Sequence, residues 1–164
     1  MSQSRVLIVD DDPALLLALP EALRLRMSEV TVDTAESATD ALDQIAARDY
    51  DAIVTDIKMP GMDGLALLTE IRARRPDTPT LMITGHGEHA LAIQALRGGA
   101  YDFIQKPIDR DDAVASLHRA ILAHALSRRV KDRRLALGRC VSELERIVVK
   151  LGRELRPTPA RGEP

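Results

Sequence analysis

The chain has 164 residues, a formal net charge of −2, 45% apolar residues and only 2% aromatic residues. This length accommodates one domain of ordinary size and an appendage rather than two full domains. The small net charge gives no whole-chain reason to expect nucleic acid or an anionic membrane as a partner. The single Cys140 excludes an internal disulfide, and no apolar stretch is long enough to span a bilayer. We therefore expect a soluble cytoplasmic protein.

Strand-like and helical patterns alternate along the chain. The predicted strands are Val6–Val9, Val30–Val32, Ala52–Thr55, Thr80–Thr84 and Tyr101–Ile104. The predicted helices are Pro13–Arg26, Ser37–Arg48, Gly64–Arg75 and Glu88–Arg97, followed by a long helix after Pro107. Strands that alternate with helices of about 10 to 15 residues indicate right-handed crossovers and a parallel sheet covered on both faces. The prediction is an α/β fold with a five-stranded parallel sheet in a three-layer (βα)5 sandwich.

Aspartates mark the starts of several predicted helices. Asp12 precedes Pro13 as an N-cap precedes a first-turn proline, and Asp63 and Asp109 precede the next helical patterns. Pro20 lies inside the first predicted helix and is expected to bend or shorten it.

Polar side chains follow the carboxyl ends of four predicted strands. Asp10 and Asp11 follow the first strand, Asp56 directly follows the third, Thr84 ends the fourth and Lys106 follows the fifth. Open parallel sheets bind ligands at the carboxyl ends of their strands, so we expect these residues to surround one crevice.

Several carboxylates in one crevice repel one another. At a separation of about 4 Å and an effective dielectric constant near 20, two like charges repel by roughly 4 kcal/mol. The cluster must therefore bind a divalent cation, take up protons or be held apart. Carboxylates, a hydroxyl and an ammonium group together suit phosphoryl transfer, with Asp56 as the nucleophile.

Over roughly residues 5–126, the chain resembles the receiver domain of two-component response regulators. Its motifs Met-Pro-Gly-Met-Asp-Gly-Leu, Thr-Gly-His-Gly and Gly-Ala-Tyr-Asp-Phe-Ile-x-Lys-Pro are similar to those of receivers of NtrC-type transcription activators. The resemblance implies a CheY-like, flavodoxin-like sheet with strand order 2-1-3-4-5. The residues that carry the resemblance are the Asp10-Asp11 pair, Asp56 in Asp-Ile-Lys-Met-Pro-Gly, Thr84, and Lys106 before Pro107.

The resemblance implies a Mg²⁺-dependent reaction in which Asp56 accepts a phosphoryl group from a sensor histidine kinase or a phosphotransfer protein. The implied metal ligands are Asp11, Asp56 and the backbone carbonyl of Lys58, with Asp10 acting through water. Mg²⁺ retains several waters and binds one or two carboxylates, which agrees with this ligand set.

Three further roles follow from the same resemblance. Lys106 is implied to pair with Asp56 and then with the phosphoryl group, and the Lys106-Pro107 bond is implied to be cis. The Thr84 hydroxyl is implied to bond a phosphoryl oxygen, and Phe103 is the implied switch aromatic. The chain would be a phosphoacceptor switch rather than an enzyme, with at most self-catalysed phosphoryl transfer and autodephosphorylation.

Residues 127–155 are predicted to form a helical extension with a seven-residue apolar repeat. The first row of the repeat is Val130, Leu137, Leu144 and Leu151, and the second is Arg134, Val141, Val148 and Leu155. Leucine at d and valine at a favour a parallel two-stranded coiled coil, hence a homodimer. The alternative is a helix that breaks at Gly138 or Gly152 and folds back on the receiver. Residues 156–164 are predicted to be a disordered tail.

Two functional hypotheses of different classes follow. The first is a signalling switch phosphorylated at Asp56, and the second is a coiled-coil scaffold or binding module whose acceptor site is vestigial. Because no output enzyme or DNA-binding pattern follows Ala125, we expect an unknown downstream protein as partner, and neither nucleic acid nor membrane. His118 and His124 are interpreted as exposed helix residues rather than phosphorelay histidines.

Overall fold

The computed structural model of the protein describes residues 3–156, and the chain divides after Leu126 into two units. Apart from Arg156, the predicted disordered tail lies outside the described residues. Within residues 3–156, every helix is too short or too polar to cross a membrane.

Strands and helices alternate as predicted. The strands are β1 Ser4–Val9, β2 Val30–Ala35, β3 Ala52–Asp56, β4 Thr80–Thr84 and β5 Asp102–Gln105. The helices are α1 Pro13–Arg26, α2 Ala38–Ala47, α3 Gly64–Arg74, α4 His89–Arg97 and α5 Arg110–Glu154. All neighbouring strands pair in parallel in the order β2-β1-β3-β4-β5. The predicted fold class and strand order are confirmed.

The sheet is buried on both faces because its strands carry apolar side chains on both sides. In β1, Val6 and Ile8 face one core, which includes residues of α1 and the first turns of α5. Leu7 and Val9 face a second core formed with α2 and α3. A smaller cluster joins Met82 of β4 to α3 and α4. The alternation along β1 thus assigns the helices to two layers.

Some boundaries differ from the prediction. β2 continues to Ala35 because residues 33–35 pair in register with residues 7–9 of β1. β5 begins at Asp102, and Tyr101 precedes it. Pro20 does not shorten α1, since the helix continues to Arg26 as predicted; a bend at Pro20 stays a prediction. Buried Leu19 and Leu23 anchor α1 to the sheet on both sides of the proline.

Aspartate caps fix the helix starts at the carboxyl edge of the sheet. Asp12 accepts the N–H of Ala14 at 2.9 Å, and Asp63 accepts the N–H of Ala66 at 2.8 Å. Asp109 accepts the N–H groups of Asp111 and Asp112 at 2.8 and 3.1 Å. The predicted caps are confirmed, and each stabilises its helix by about 1 kcal/mol.

The part of the extension that the structure describes is helical. Helix α5 passes through Gly138 and Gly152 without a break as far as Glu154. The apolar members of the seven-residue repeat are 50% to 80% exposed. The break that the alternative requires is therefore absent from α5.

Gly64 gives a test of how closely α3 packs against β3. A Cβ at residue 64 would overlap the carbonyl oxygen of Asp56 and lie 2.7 Å from the Cα of Ile57. We expect Gly64→Ala to lower the free energy of unfolding by about 2 kcal/mol in urea denaturation. Gly138→Ala is the matched control, because a Cβ there meets nothing within 4 Å and alanine favours a helix. Equal stability of Gly64→Ala and wild type would contradict the packing described.

Candidate functional site

The carboxyl ends of β1 and β3 bring acidic residues together. The two strands pair in register with Val9 opposite Thr55, so Asp10 and Asp56 follow at the same edge. Asp10 is fully buried and Asp56 is buried. Asp11 is exposed.

One carboxylate oxygen from each of Asp10, Asp11 and Asp56 lies within 4.8 Å of the other two. Oδ1 of Asp10 accepts the N–H of Asp12 at 2.8 Å. Oδ2 of Asp10 is buried and has no hydrogen-bond donor among residues 3–156. This oxygen is available to bind a metal ion, because a buried acceptor that makes no hydrogen bond is unfavourable.

Lys106 supplies the ammonium group of the site. Its Nζ lies 3.6 Å from Oδ2 of Asp56 and 3.8 Å from Oδ2 of Asp10. These distances describe ion pairs rather than hydrogen bonds. The backbone positions Lys106, since its N–H donates to the carbonyl of Thr84 at 2.8 Å and the Lys106-Pro107 bond is cis, as the resemblance implied.

Burial makes the ionised carboxylates unfavourable. Burial and then the charge of Asp10 raise the pKa of Asp56 to about 6, although Lys106 and the Ile57 N–H oppose the shift. Burial also raises the pKa of Asp10, against the Asp12 N–H and Lys106. A bound cation would favour the ionised forms of both groups.

The residues fit a magnesium ion. Carboxylate oxygens are its preferred protein ligands, Asp10, Asp11 and Asp56 each contribute one to the cluster, and Oδ2 of Asp10 accepts no hydrogen bond within residues 3–156. The ligand role of the Lys58 backbone carbonyl stays a prediction.

Thr84 and Phe103 lie on β4 and β5, the two strands that follow β3 in the sheet. Thr84 ends β4 and is buried. Phe103 of β5 is 36% exposed and lines an open cavity of about 610 Å³ together with His86 and Lys106. Phe103 is therefore not a core residue, and its switch role stays a prediction.

Glu88 is a site residue that sequence reasoning missed. Its Oε1 accepts from Nζ of Lys58 at 2.5 Å, and its Oε2 accepts the N–H of Gly85 at 2.6 Å. The hydrogen bond from Lys58, then that from Gly85, holds the pKa of Glu88 below its usual range, and Lys106 acts in the same direction. The only sequence signal was an acidic residue at the first position of the predicted fourth helix.

The interpretation of His124 as exposed is wrong. Its side chain is buried, and Nδ1 lies 3.4 Å from Oδ1 of Asp51. It belongs to the buried face of α5 with Leu117 and Ala120, which precede it by seven and four residues. His118 is exposed, as expected.

A comparison with protein families matches residues 6–118 to the response regulator receiver domain. The chain belongs to this family. The chain is 42% identical over 139 residues to the C4-dicarboxylate transport transcriptional regulatory protein DctD of Pseudomonas aeruginosa, covering 84% of this chain and 29% of that protein. It is 40% identical over 121 residues to the DNA-binding transcriptional regulator NtrC of Escherichia coli, covering 74% of this chain and 25% of that protein.

The chain thus spans less than a third of the length of either relative. Among solved structures, the receiver is similar to a response regulator receiver domain protein from Clostridium thermocellum, with a TM-score of 0.71 and 30% identity. That match covers 75% of this chain and 98% of the other.

The raised pKa of Asp56 gives a pH prediction for the metal-free receiver. The folded state holds a proton on Asp56 between its ordinary pKa of 3.8 and about 6, where the unfolded chain has lost it. Stability therefore falls as pH rises through this window. We expect the unfolding free energy of wild type, relative to Asp56→Asn, to fall by about 2 kcal/mol between pH 4 and pH 7.

Excess Mg²⁺ should raise the unfolding free energy of wild type at pH 7 by most of this amount, and it should stabilise Asp56→Asn by less. Thermal denaturation with and without EDTA measures both effects. A pH-independent difference between the two proteins, or equal stabilisation of both by Mg²⁺, would contradict the electrostatic description of the site.

Proposed function

We propose that this receiver accepts a phosphoryl group on Asp56 from a histidine kinase or a phosphotransfer protein, and that Mg²⁺ is required. The observation that supports the proposal is the ammonium of Lys106, 3.6 Å from Asp56, beside three converging carboxylates. Asp10, Asp11, Asp56 and the Lys58 backbone carbonyl would hold the ion. When bound, Mg²⁺ supplies positive charge to the phosphoryl oxygens.

The protein groups prepare Asp56 as a nucleophile. The N–H of Ile57 donates to Oδ1 of Asp56 at 3.0 Å and fixes the orientation of the carboxylate. An Asp56 oxygen forms the new bond to phosphorus as the phosphorus–nitrogen bond of a donor phosphohistidine breaks, and the departing imidazole keeps the bonding electron pair and is protonated. Lys106 moves from the carboxylate to the developing charge on the phosphoryl group.

Phosphorylation of Asp56 would then change the contacts of residues on β4 and β5. The Thr84 hydroxyl would bond a phosphoryl oxygen, and the hydrogen bond between the Thr84 carbonyl and the Lys106 N–H links both residues. Phe103 would change position on β5 in response. The chain acts as a phosphoacceptor switch for a downstream protein rather than as an enzyme with turnover.

The extension would provide a homodimer contact. Its apolar repeat residues are 50% to 80% exposed, which is unfavourable for a helix surrounded by water. A second copy of the same helix would cover the repeat in a parallel coiled coil, with Arg134 at an a position restricting its register.

This exposed repeat is also the observation that favours the second candidate function, a coiled-coil scaffold with a vestigial acceptor site. The proximity of Lys106 to both Asp10 and Asp56 argues against a vestigial site, because loss of function would remove the need to keep these charges together.

Incubation of the protein with Mg²⁺ and acetyl phosphate tests the acceptor. We expect intact mass to increase by one phosphoryl group, and Asp56→Asn to abolish the increase. Asp49→Asn is the matched control, because exposed Asp49 pairs only with Arg75 in the contacts described and should leave uptake unchanged. Equal uptake by wild type and Asp56→Asn would reject Asp56 as acceptor.

Sedimentation equilibrium tests the dimer. Leu144→Glu places a charge in the repeat and should weaken dimerisation by about 100-fold. This loss of affinity corresponds to the free energy gained by burying one leucine side chain. Ser142→Glu introduces the same side chain outside the repeat and should leave the dimer intact. A monomeric wild type, or a Leu144→Glu protein that dimerises normally, would reject the coiled-coil contact.

A further inference from the structure

A single carboxylate bridges the two loops that flank the acceptor. Glu88 accepts from the ammonium of Lys58 at 2.5 Å and from the N–H of Gly85 at 2.6 Å. Lys58 comes two residues after Asp56, and Gly85 directly follows Thr84. Glu88 therefore holds one donor from each of the loops after β3 and β4.

Both donors belong to the edge of the sheet that carries Asp56. Asp56 lies opposite Ile83 in the parallel pair β3 and β4, and the N–H of Ile57 donates to the carbonyl of Ile83 at 3.2 Å. Lys58 and Gly85 each lie two residues beyond that pair. The bridging Glu88 side chain is only 15% exposed, although its partner Lys58 is 69% exposed.

The loop shape makes this contact possible. Gly87 has a φ of 80°, which is the conformation that the third residue of a type II turn requires. The N–H of Glu88 donates to the carbonyl of Gly85 at 3.3 Å, so residues 85–88 close on themselves. The turn directs the Glu88 carboxylate back to the Gly85 N–H, and α4 begins at the next residue, His89.

A phosphoryl group on Asp56 would need the same kind of donors. It carries a charge of about −1.5 to −2 and three acceptor oxygens. Two donors of the loops after β3 and β4, the Lys58 ammonium and the Gly85 N–H, are both bonded to Glu88. A second anion at this edge would also repel the Glu88 carboxylate.

We propose that Glu88 is an internal anion that occupies Lys58 and the Gly85 N–H while Asp56 is unmodified, and that a phosphoryl group on Asp56 takes these donors from it. Glu88 is thus a positioning residue that weakens the binding of phosphoryl-like anions and holds the start of α4 in its unmodified arrangement. The inference rests on the proposed function of Asp56.

Beryllofluoride, a phosphoryl analogue that binds an aspartate carboxylate with Mg²⁺, is the probe. Isothermal titration calorimetry of the full chain should show that Glu88→Gln binds beryllofluoride about two- to fivefold more tightly than wild type. This change in affinity corresponds to the free energy of one surface ion pair. Glu70→Gln is the matched control, because it removes the same charge and an ion pair with Arg74 on the exposed side of α3. Its affinity should equal that of wild type.

A double-mutant cycle with Lys58→Met separates competition from simple charge removal. If Lys58 transfers from Glu88 to the analogue, Lys58→Met weakens binding more in the Glu88→Gln background than in wild type. If Glu88 acts only through its long-range charge, the two substitutions are additive. Additivity within error would overturn the proposal.

Binding of beryllofluoride by wild type separates a failure of the proposed function from a failure of the role of Glu88. If wild type binds no beryllofluoride and accepts no phosphate, the proposed function fails and the inference fails with it. If wild type binds it and Glu88→Gln binds equally or more weakly, only the role of Glu88 is rejected. Circular dichroism verifies folding. If Glu88→Gln does not fold, Glu88→Asp, whose shorter side chain withdraws the carboxylate from Lys58 and Gly85, should still bind beryllofluoride more tightly than wild type.

Discussion

The burial and mutual repulsion of the acidic cluster of Asp10, Asp11 and Asp56 are the constraint on which this receiver depends. Parallel strands direct these carboxylates to one edge, and helices on both faces of the sheet exclude water from two of them. Among residues 3–156, the ion pairs given for Asp10 and Asp56 are both made with the ammonium of Lys106. The site is therefore short of positive charge, and a cation or a transferred phosphoryl group changes its energy more than it would change an exposed cluster.

Hydrogen bonds and an ion pair connect the acidic site to neighbouring strands and loops of the receiver. A backbone hydrogen bond joins Lys106 to Thr84 at the ends of adjacent strands. Glu88 joins the loops after β3 and β4 and directly precedes α4. In the proposed switch, a charge added at Asp56 redistributes donors among these residues, so a local electrostatic event alters the start of a helix.

The sequence predicted features that local rules define. Strand ends placed Asp10, Asp56, Thr84 and Lys106 at one edge because parallel strands share a direction, and N-caps marked the helix starts. Contacts between distant residues were not predictable, and Glu88 is the main example, since its partner Lys58 is 30 positions away and no local pattern links them. The buried position of His124 could have been found from its helical spacing to Leu117.

Chemical mapping of the phosphorylated residue tests the central claim most directly. Borohydride reduces an acyl phosphate of aspartate to homoserine, and trypsin releases residues 49–58 as one peptide that contains Asp49, Asp51 and Asp56. After treatment with a phosphodonor, tandem mass spectrometry should locate homoserine at position 56 alone, and only when Mg²⁺ is present. Homoserine at Asp10 or Asp11, or labelling that is independent of Mg²⁺, would contradict the account.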